Sequence, residues 1–318
     1  MMRARFLVAI LFVAVLSAVA CSPGTEAGSE DGKIRIGLAL SLSGALADSG
    51  EPILQGAEMW VEEGNKILGK EVELVVKDDE SLPETDAKLY EYLISVENVD
   101  LLLGPYGSGN SAAVTPITDR HNRFILMTGA SAAEIFGRSK TSVQLYTPQL
   151  HMPELPLRVA SKNGYETIAA AGVDNDYGTE ILRGIELYAD EFGMDVVHKE
   201  LYEETTQDLS STILKMKQAD PDVVYVGAYI PDSILFMRQA KEQGLEPKMF
   251  VLGPTGPVTQ QFVDALGSNA EYVFGTAQWH PNAAYPGAKN FVESFKKENG
   301  EVPNYLHATG YGALEVLQ

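Results

Sequence analysis

Nine short apolar runs, each bounded by turn residues and separated by stretches of helical periodicity, constrain the fold of this 318-residue chain more than any other feature. The runs fall at 34–40, 72–76, 100–103, 124–127, 167–171, 196–201, 222–226, 248–252 and 272–274. Between them, apolar residues recur at helical spacing over 53–67, 84–95, 179–192, 209–218 and 233–243. Largely apolar strands that alternate with helices predict parallel sheets covered on both faces, an α/β fold. Roughly 285 residues follow position 33, more than one core usually serves, so two lobes are expected.

In such sheets ligands bind beyond the carboxyl ends of the strands. Those ends hold a concentrated set of glycine, hydroxyl and tyrosine residues. In order they are Ser41-Leu42-Ser43-Gly44, Lys77-Asp78-Asp79, Gly104-Pro105-Tyr106-Gly107-Ser108-Gly109-Asn110-Ser111 and Thr128-Gly129-Ala130-Ser131. Later come Asp174-Asn175-Asp176-Tyr177-Gly178, Gly227-Ala228-Tyr229-Ile230-Pro231-Asp232 and Gly253-Pro254-Thr255-Gly256-Pro257. They read as one cleft.

The order and spacing of these loops, with Gly56-Ala57-Glu58-Met59 after the first, resemble the periplasmic binding proteins of the branched-chain amino acid type, the soluble receptors of ABC importers. That resemblance spans positions 34–318. It implies two Rossmann-like lobes joined by crossing strands, the first two near Tyr146-Thr147 and 276–279, with lobe I at 34–147 plus 277–318 and lobe II at 148–276. Relatives of this type usually run several dozen residues further. This sequence stops at Gln318 inside a helical pattern, so the expectation is an incomplete second lobe with an unclosed sheet edge.

The resemblance also assigns the cleft residues. Ser108 opens a helix after a glycine-rich turn, where a hydroxyl and backbone N–H groups suit an anion, and where a serine also serves as a plain helix cap. Gly129 would offer its carbonyl to a ligand ammonium, and Ser131 its N–H and hydroxyl to a carboxylate. Tyr177 and Tyr229, which in isolation would be packing residues, fall on ligand-contacting positions. Thr255 stands where related amino-acid binders often carry an acid for the ammonium, so the ligand is expected to lack an α-ammonium, or Asp174 or Asp176 to replace that acid. Ser49 falls where a tryptophan often packs on the ligand, which implies a roomier pocket. Trp279 is expected to pack at the hinge.

Other chemistries fit poorly. The glycines at 104, 107 and 109 lack the Lys-Ser/Thr ending of a phosphate loop and the spacing of a dinucleotide fingerprint. Gly129-x-Ser131-x-Ala133 faintly resembles a nucleophile elbow, but a hydrolase also needs a histidine, and of the five only His280 falls near a cleft loop. No histidine pair has metal-ligand spacing, so neither a metal, nor a cofactor, nor an enzymatic activity is expected.

The N-terminus adds a location. Arg3 and Arg5 precede the apolar run 6–19, which is short for a membrane span, and Ala18-Val19-Ala20-Cys21 holds the only cysteine. This pattern resembles bacterial lipoprotein signals, which implies export, removal of 1–20, lipidation of Cys21 and anchorage to a bilayer. Positions 21–33 carry too few apolar residues to build a core and read as a tether. Losing the signal's two arginines takes the formal charge from −20 to −22. So acidic a surface excludes nucleic acid as a partner. The expected partners are a small solute, an amino acid or another small carboxylate, and an ABC permease. Aromatic acids, amides and urea-like solutes are the alternative ligands, and signalling to a separate membrane protein the alternative role.

Overall fold

The computed structural model describes residues 32–318. The signal, Cys21 and all but the last two residues of the tether lie outside them. Ten strands form two five-stranded, wholly parallel sheets. The first contains β1 (Ile34–Leu40), β2 (Val72–Asp78), β3 (Leu101–Leu103), β4 (Ile125–Met127) and β5 (Ser142–Gln144), in the order β2-β1-β3-β4-β5. The second contains β6 (Thr167–Val173), β7 (Asp195–Tyr202), β8 (Val223–Ala228), β9 (Met249–Pro254) and β10 (Val273–Gly275), in the order β10-β9-β8-β6-β7. Read from its own first strand, each sheet has the same arrangement. Each therefore has one point where the chain changes winding direction, between β1 and β3 and between β6 and β8.

Burial explains why the inner strands read as unbroken apolar runs. Ile36, Leu38 and Leu40 of β1 and Val223 to Val226 of β8 are inaccessible because helices cover both faces. The edge strand β5 escapes the sequence pattern because its centre, Val143, is 48% exposed. The covering helices carry ordinary end signals. Asn175 caps α6 (Asp176–Phe192) by accepting from the Gly178 N–H, and Gly193 ends it in the left-handed conformation at φ 68°. Helix α1 runs Ala47–Glu62, earlier than the predicted 53–67, because Gly64 turns left-handed at φ 76° and Ile67 joins a tight turn with Lys70.

The chain after the second sheet returns to the first. Helix α11 (Tyr305–Leu317) lies on α1 at a crossing made possible by two glycines. A Cβ on Gly310 would stand 1.8 Å from the Ile53 carbonyl oxygen, and one on Gly56 1.9 Å from that of His307. This crossing brings Tyr305, at the start of α11, to the carboxyl edge of the first sheet. Among the described residues, no helix is long and apolar enough to cross a membrane.

Candidate functional site

The loops that leave the two sheets at their carboxyl ends meet in one cavity. It is lined from the first sheet by Tyr106, Gly107 and Ser108 after β3 and by Gly129 and Ser131 after β4. From the second come Tyr177 after β6, Tyr229 after β8 and Thr255 after β9. Tyr146, Gln278 and Tyr305 complete the wall. All six residues singled out in the sequence, Ser108, Gly129, Ser131, Tyr177, Tyr229 and Thr255, are therefore together. The space among them is about 10 Å³, room for roughly one water.

At one end stands a serine pair. Gly107, at φ 94°, makes the turn into α3 (Ser108–His121) and is its cap, so Ser108 is the first helical residue and not the cap. Its Oγ accepts the N–H groups of Ser131 at 3.4 Å and Ala132 at 3.3 Å. With both lone pairs engaged, the Ser108 hydroxyl proton is left to donate. The N–H groups of the first turn of α3 have no acceptor within the helix. Ser131 Oγ donates to Gln149 Oε1 at 2.8 Å, while its carbonyl takes the Gln149 N–H at 2.7 Å. Gln149 is wholly buried and its Nε2 has no partner. The Gly129 carbonyl already accepts the Gly107 N–H at 3.1 Å, leaving a single lone pair where a free carbonyl was expected.

The remaining walls are aromatic. Tyr177 stacks on Tyr229 with centroids 5.0 Å apart, and Tyr106 meets Tyr229 edge-on at 6.2 Å. Burial pushes the hydroxyls of Tyr177, Tyr229 and Tyr305 well above the usual tyrosine range, so they are neutral groups. Tyr177 follows its strand as the second residue of α6, and its hydroxyl donates to the Ala228 carbonyl at 3.3 Å. The Thr255 hydroxyl donates to the same carbonyl at 2.9 Å and is committed inside its own lobe. Among the described residues that line the cavity, none is charged.

Three expectations are corrected. The pocket is not roomy, because Tyr106 turns its hydroxyl toward buried Ser49 and fills the space a small residue there would open. Neither Asp174 nor Asp176 reaches the cavity: Asp174 is exposed, and Asp176 lines a separate groove with Thr115, Asp119 and Arg138. The carboxyls behind the tyrosines are Asp232, which accepts from the Tyr202 hydroxyl and is pushed up to about 7 by burial, and Glu204, bonded by Asn175 Nδ2. The same Asn175 Nδ2 reaches the Tyr229 hydroxyl at 3.4 Å. His280 is exposed and only accepts the Asn282 N–H, so no base approaches Ser131. Trp279 packs edge-on against Phe291 and does not line the cavity.

Among the described residues, and besides the bonds between Ser131 and Gln149, two hydrogen bonds cross between the lobes outside the cavity. Glu180 of α6 accepts the Ala133 N–H at 2.7 Å, and Gln261 Nε2 donates to Asp48 at 2.7 Å. Entry of any organic molecule requires the lobes to part, and these bonds to break.

The sequence profile of the periplasmic binding proteins matches residues 33–318. The chain belongs to this family. Its members are solute-binding proteins and not enzymes. Among curated relatives, the Leu/Ile/Val-binding protein homolog 7 of Brucella melitensis is 32% identical over 95% of this chain and 79% of its own length. Among solved structures, a leucine binding protein of Thermotoga maritima superposes with a TM-score of 0.82 at 25% identity, covering 89% of this chain and 81% of that one. An ABC-transporter solute binding protein of Rhodopseudomonas palustris, solved with benzoate, gives a TM-score of 0.82 at 21% identity over 90% of this chain and 79% of its own. Family membership places the protein outside the cytoplasm.

Proposed function

We propose that this protein is the lipid-anchored receptor of an ABC importer, closing its two lobes around a small organic carboxylate and presenting the closed form to a permease. The branched-chain amino acids of its named relatives belong to that ligand class. The observation that carries the reading is the asymmetry of the cavity. One end gathers donors fit for an anion, the Ser108 hydroxyl and the first turn of α3, while the Ser131 hydroxyl and N–H are held by Gln149 and Ser108. The rest offers tyrosine faces and no charge. A carboxylate is satisfied there by hydrogen bonds, whereas an ammonium would be buried without a counter-ion, at a cost of about 3–5 kcal/mol. The tyrosine walls favour a flat or branched apolar body and support aromatic acids as ligands. Binding energy would be used to shift an open–closed equilibrium.

The test is calorimetry with matched pairs: leucine against 4-methylpentanoate, and phenylalanine against 3-phenylpropanoate and benzoate. Acids without the amino group should bind at least as tightly as their amino-acid partners. A strong preference for the amino acids would show that a carboxyl such as Glu204 reaches the ligand in the closed complex and would overturn the reading.

A further inference from the structure

Behind the serine end of the cleft lies a pair of carboxyls that no contact with solute explains. Asp79, in the loop after β2, and Asp86, on α2 (Pro83–Ser95), are both fully inaccessible. Each has one oxygen in ordinary use. Asp79 Oδ1 accepts the Ser41 hydroxyl and the Ser81 N–H, both at 2.7 Å. Asp86 Oδ2 accepts Asn110 Nδ2 at 2.5 Å. The other oxygen of each, Asp79 Oδ2 and Asp86 Oδ1, is buried without a donor, and the two side chains face one another.

Two buried carboxyls that act on one another, each with an orphaned oxygen, are an arrangement that two carboxylates cannot hold, since like charges so close in a dry site do not both persist. A single proton between them satisfies both oxygens and halves the charge. Among the described residues, no lysine, arginine or histidine acts on the pair. The groups acting on the pair are Ser41 from the end of β1, Asp78 and Ser81 from the loop, Tyr90 on α2 and Asn110 on α3. Tyr90 is spent elsewhere, its hydroxyl donating to the Leu103 carbonyl at 2.5 Å. Asp78 is a second negative charge, held by the Ser43 hydroxyl and by the N–H groups of Leu42, Ser43 and Glu80.

From this geometry we infer that Asp79 and Asp86 share one proton, in an acid–carboxylate hydrogen bond that fastens the first turn of α3, through Asn110, to α2 and to the ends of β1 and β2. Ser108 stands two residues before Asn110 on that turn. The proton is thus part of the scaffold that fixes the anion-binding end of the cleft. Burial and Asp79 push Asp86 up to about 8. An unfolded aspartate releases its proton near 4. Between these values the folded chain holds a proton that the unfolded chain does not, so this pair's contribution to stability is largest in acid, falls as pH rises and levels off above about 8.

Asparagine imitates one protonated carboxyl, because its amide can donate to the facing oxygen. Asp86→Asn and Asp79→Asn should each fold as well as the parent at pH 5. Each should gain on the parent by up to tenfold in the unfolding constant per pH unit as the pH is raised to 8. The double variant sets two amide donors face to face and should be ten- to hundredfold less stable than the singles predict, on the order of 1–3 kcal/mol. Infrared spectra of the parent at neutral pH give a check that needs no variant to be stable. They should contain a protonated-carboxyl band, part of which either single substitution removes, Asp232 accounting for the remainder. A parent spectrum with no such band, singles that follow the parent's pH slope, or a double variant equal to the sum of the singles would each overturn the shared proton. Ligand is not used in any arm, so the outcome does not depend on the transport reading.

Discussion

Replacing Ser108 with alanine separates a scaffold role from a binding role, because its oxygen serves both. In the folded chain Ser108 Oγ is the acceptor for two buried N–H groups, those of Ser131 and Ala132, at 3.4 and 3.3 Å. Truncation strands both donors. At such long distances each is worth the low end of the usual cost of an unmet buried donor, about 1 kcal/mol, so Ser108→Ala should lose about 2 kcal/mol without any ligand. The hydroxyl proton adds a second effect. A charge-assisted bond to a carboxylate contributes about 1.5–3 kcal/mol, but the two released N–H groups can turn to the same carboxylate and recover part of it. The net loss in affinity should be about 1–2 kcal/mol, five- to thirtyfold in Kd. Urea unfolding without ligand and calorimetry with the tightest acid found for the parent measure the two effects. Stability within 0.5 kcal/mol of the parent, roughly the scatter of neutral surface substitutions, would refute the scaffold argument. A Kd within twofold would refute the binding one.

Three further outcomes are expected. Gly310→Ala, whose Cβ would meet the Ile53 carbonyl oxygen at 1.8 Å, should separate α11 from α1, lower stability by about 1–3 kcal/mol and weaken ligand binding by displacing Tyr305; unchanged urea midpoints would contradict the crossing. Asp232 keeps its proton in the folded chain to about pH 7 but loses it near 4 when unfolded, so its contribution to stability falls as pH rises between those values. Asp232→Asn should flatten that part of the profile in urea midpoints taken from pH 4.5 to 8, and a parallel profile would exclude the shift. Cys21→Ser should release the exported protein from membranes with its body intact; retention after a high-salt wash would place the anchor elsewhere.

What was legible in the sequence was what the chain specifies locally. Inner strands advertise themselves because both faces are covered, and the loops after them because a turn into a helix beside a ligand needs glycine or a hydroxyl, as Gly107 and Ser108 show. The edge strand β5 carried no such mark, since half-exposed Val143 is under no pressure to sit in an apolar run. Helix α1 was placed too far along the chain because Ile67 keeps the apolar period past a glycine that turns the backbone away. Asp174 and Asp176 were misplaced for a related reason. Asn175 caps α6, and the cap sends its two neighbours outward while Tyr177 turns in.

The parts of the site that escaped sequence reasoning are those made by distance. Tyr305 reaches the cavity only because α11 crosses α1 on two glycines some 250 residues apart in sequence, and Tyr146 stands beside it, bonded to Thr309 at 3.0 Å. Gln149 and Gln278 came from the linking segments, where no strand-end pattern singles them out. These additions alter the chemistry. Glycine and hydroxyl motifs alone describe an open polar cleft, and an open cleft leaves an ammonium hydrated. With five tyrosines closing it, bulk water has little room and every unmatched charge becomes expensive. The donors are grouped at one end and no carboxylate lines the rest, so the lining suits a negative charge better than a positive one. The proposed selectivity for an acid without an amino group would therefore rest less on Thr255, whose hydroxyl is committed to Ala228, than on the tyrosines around it.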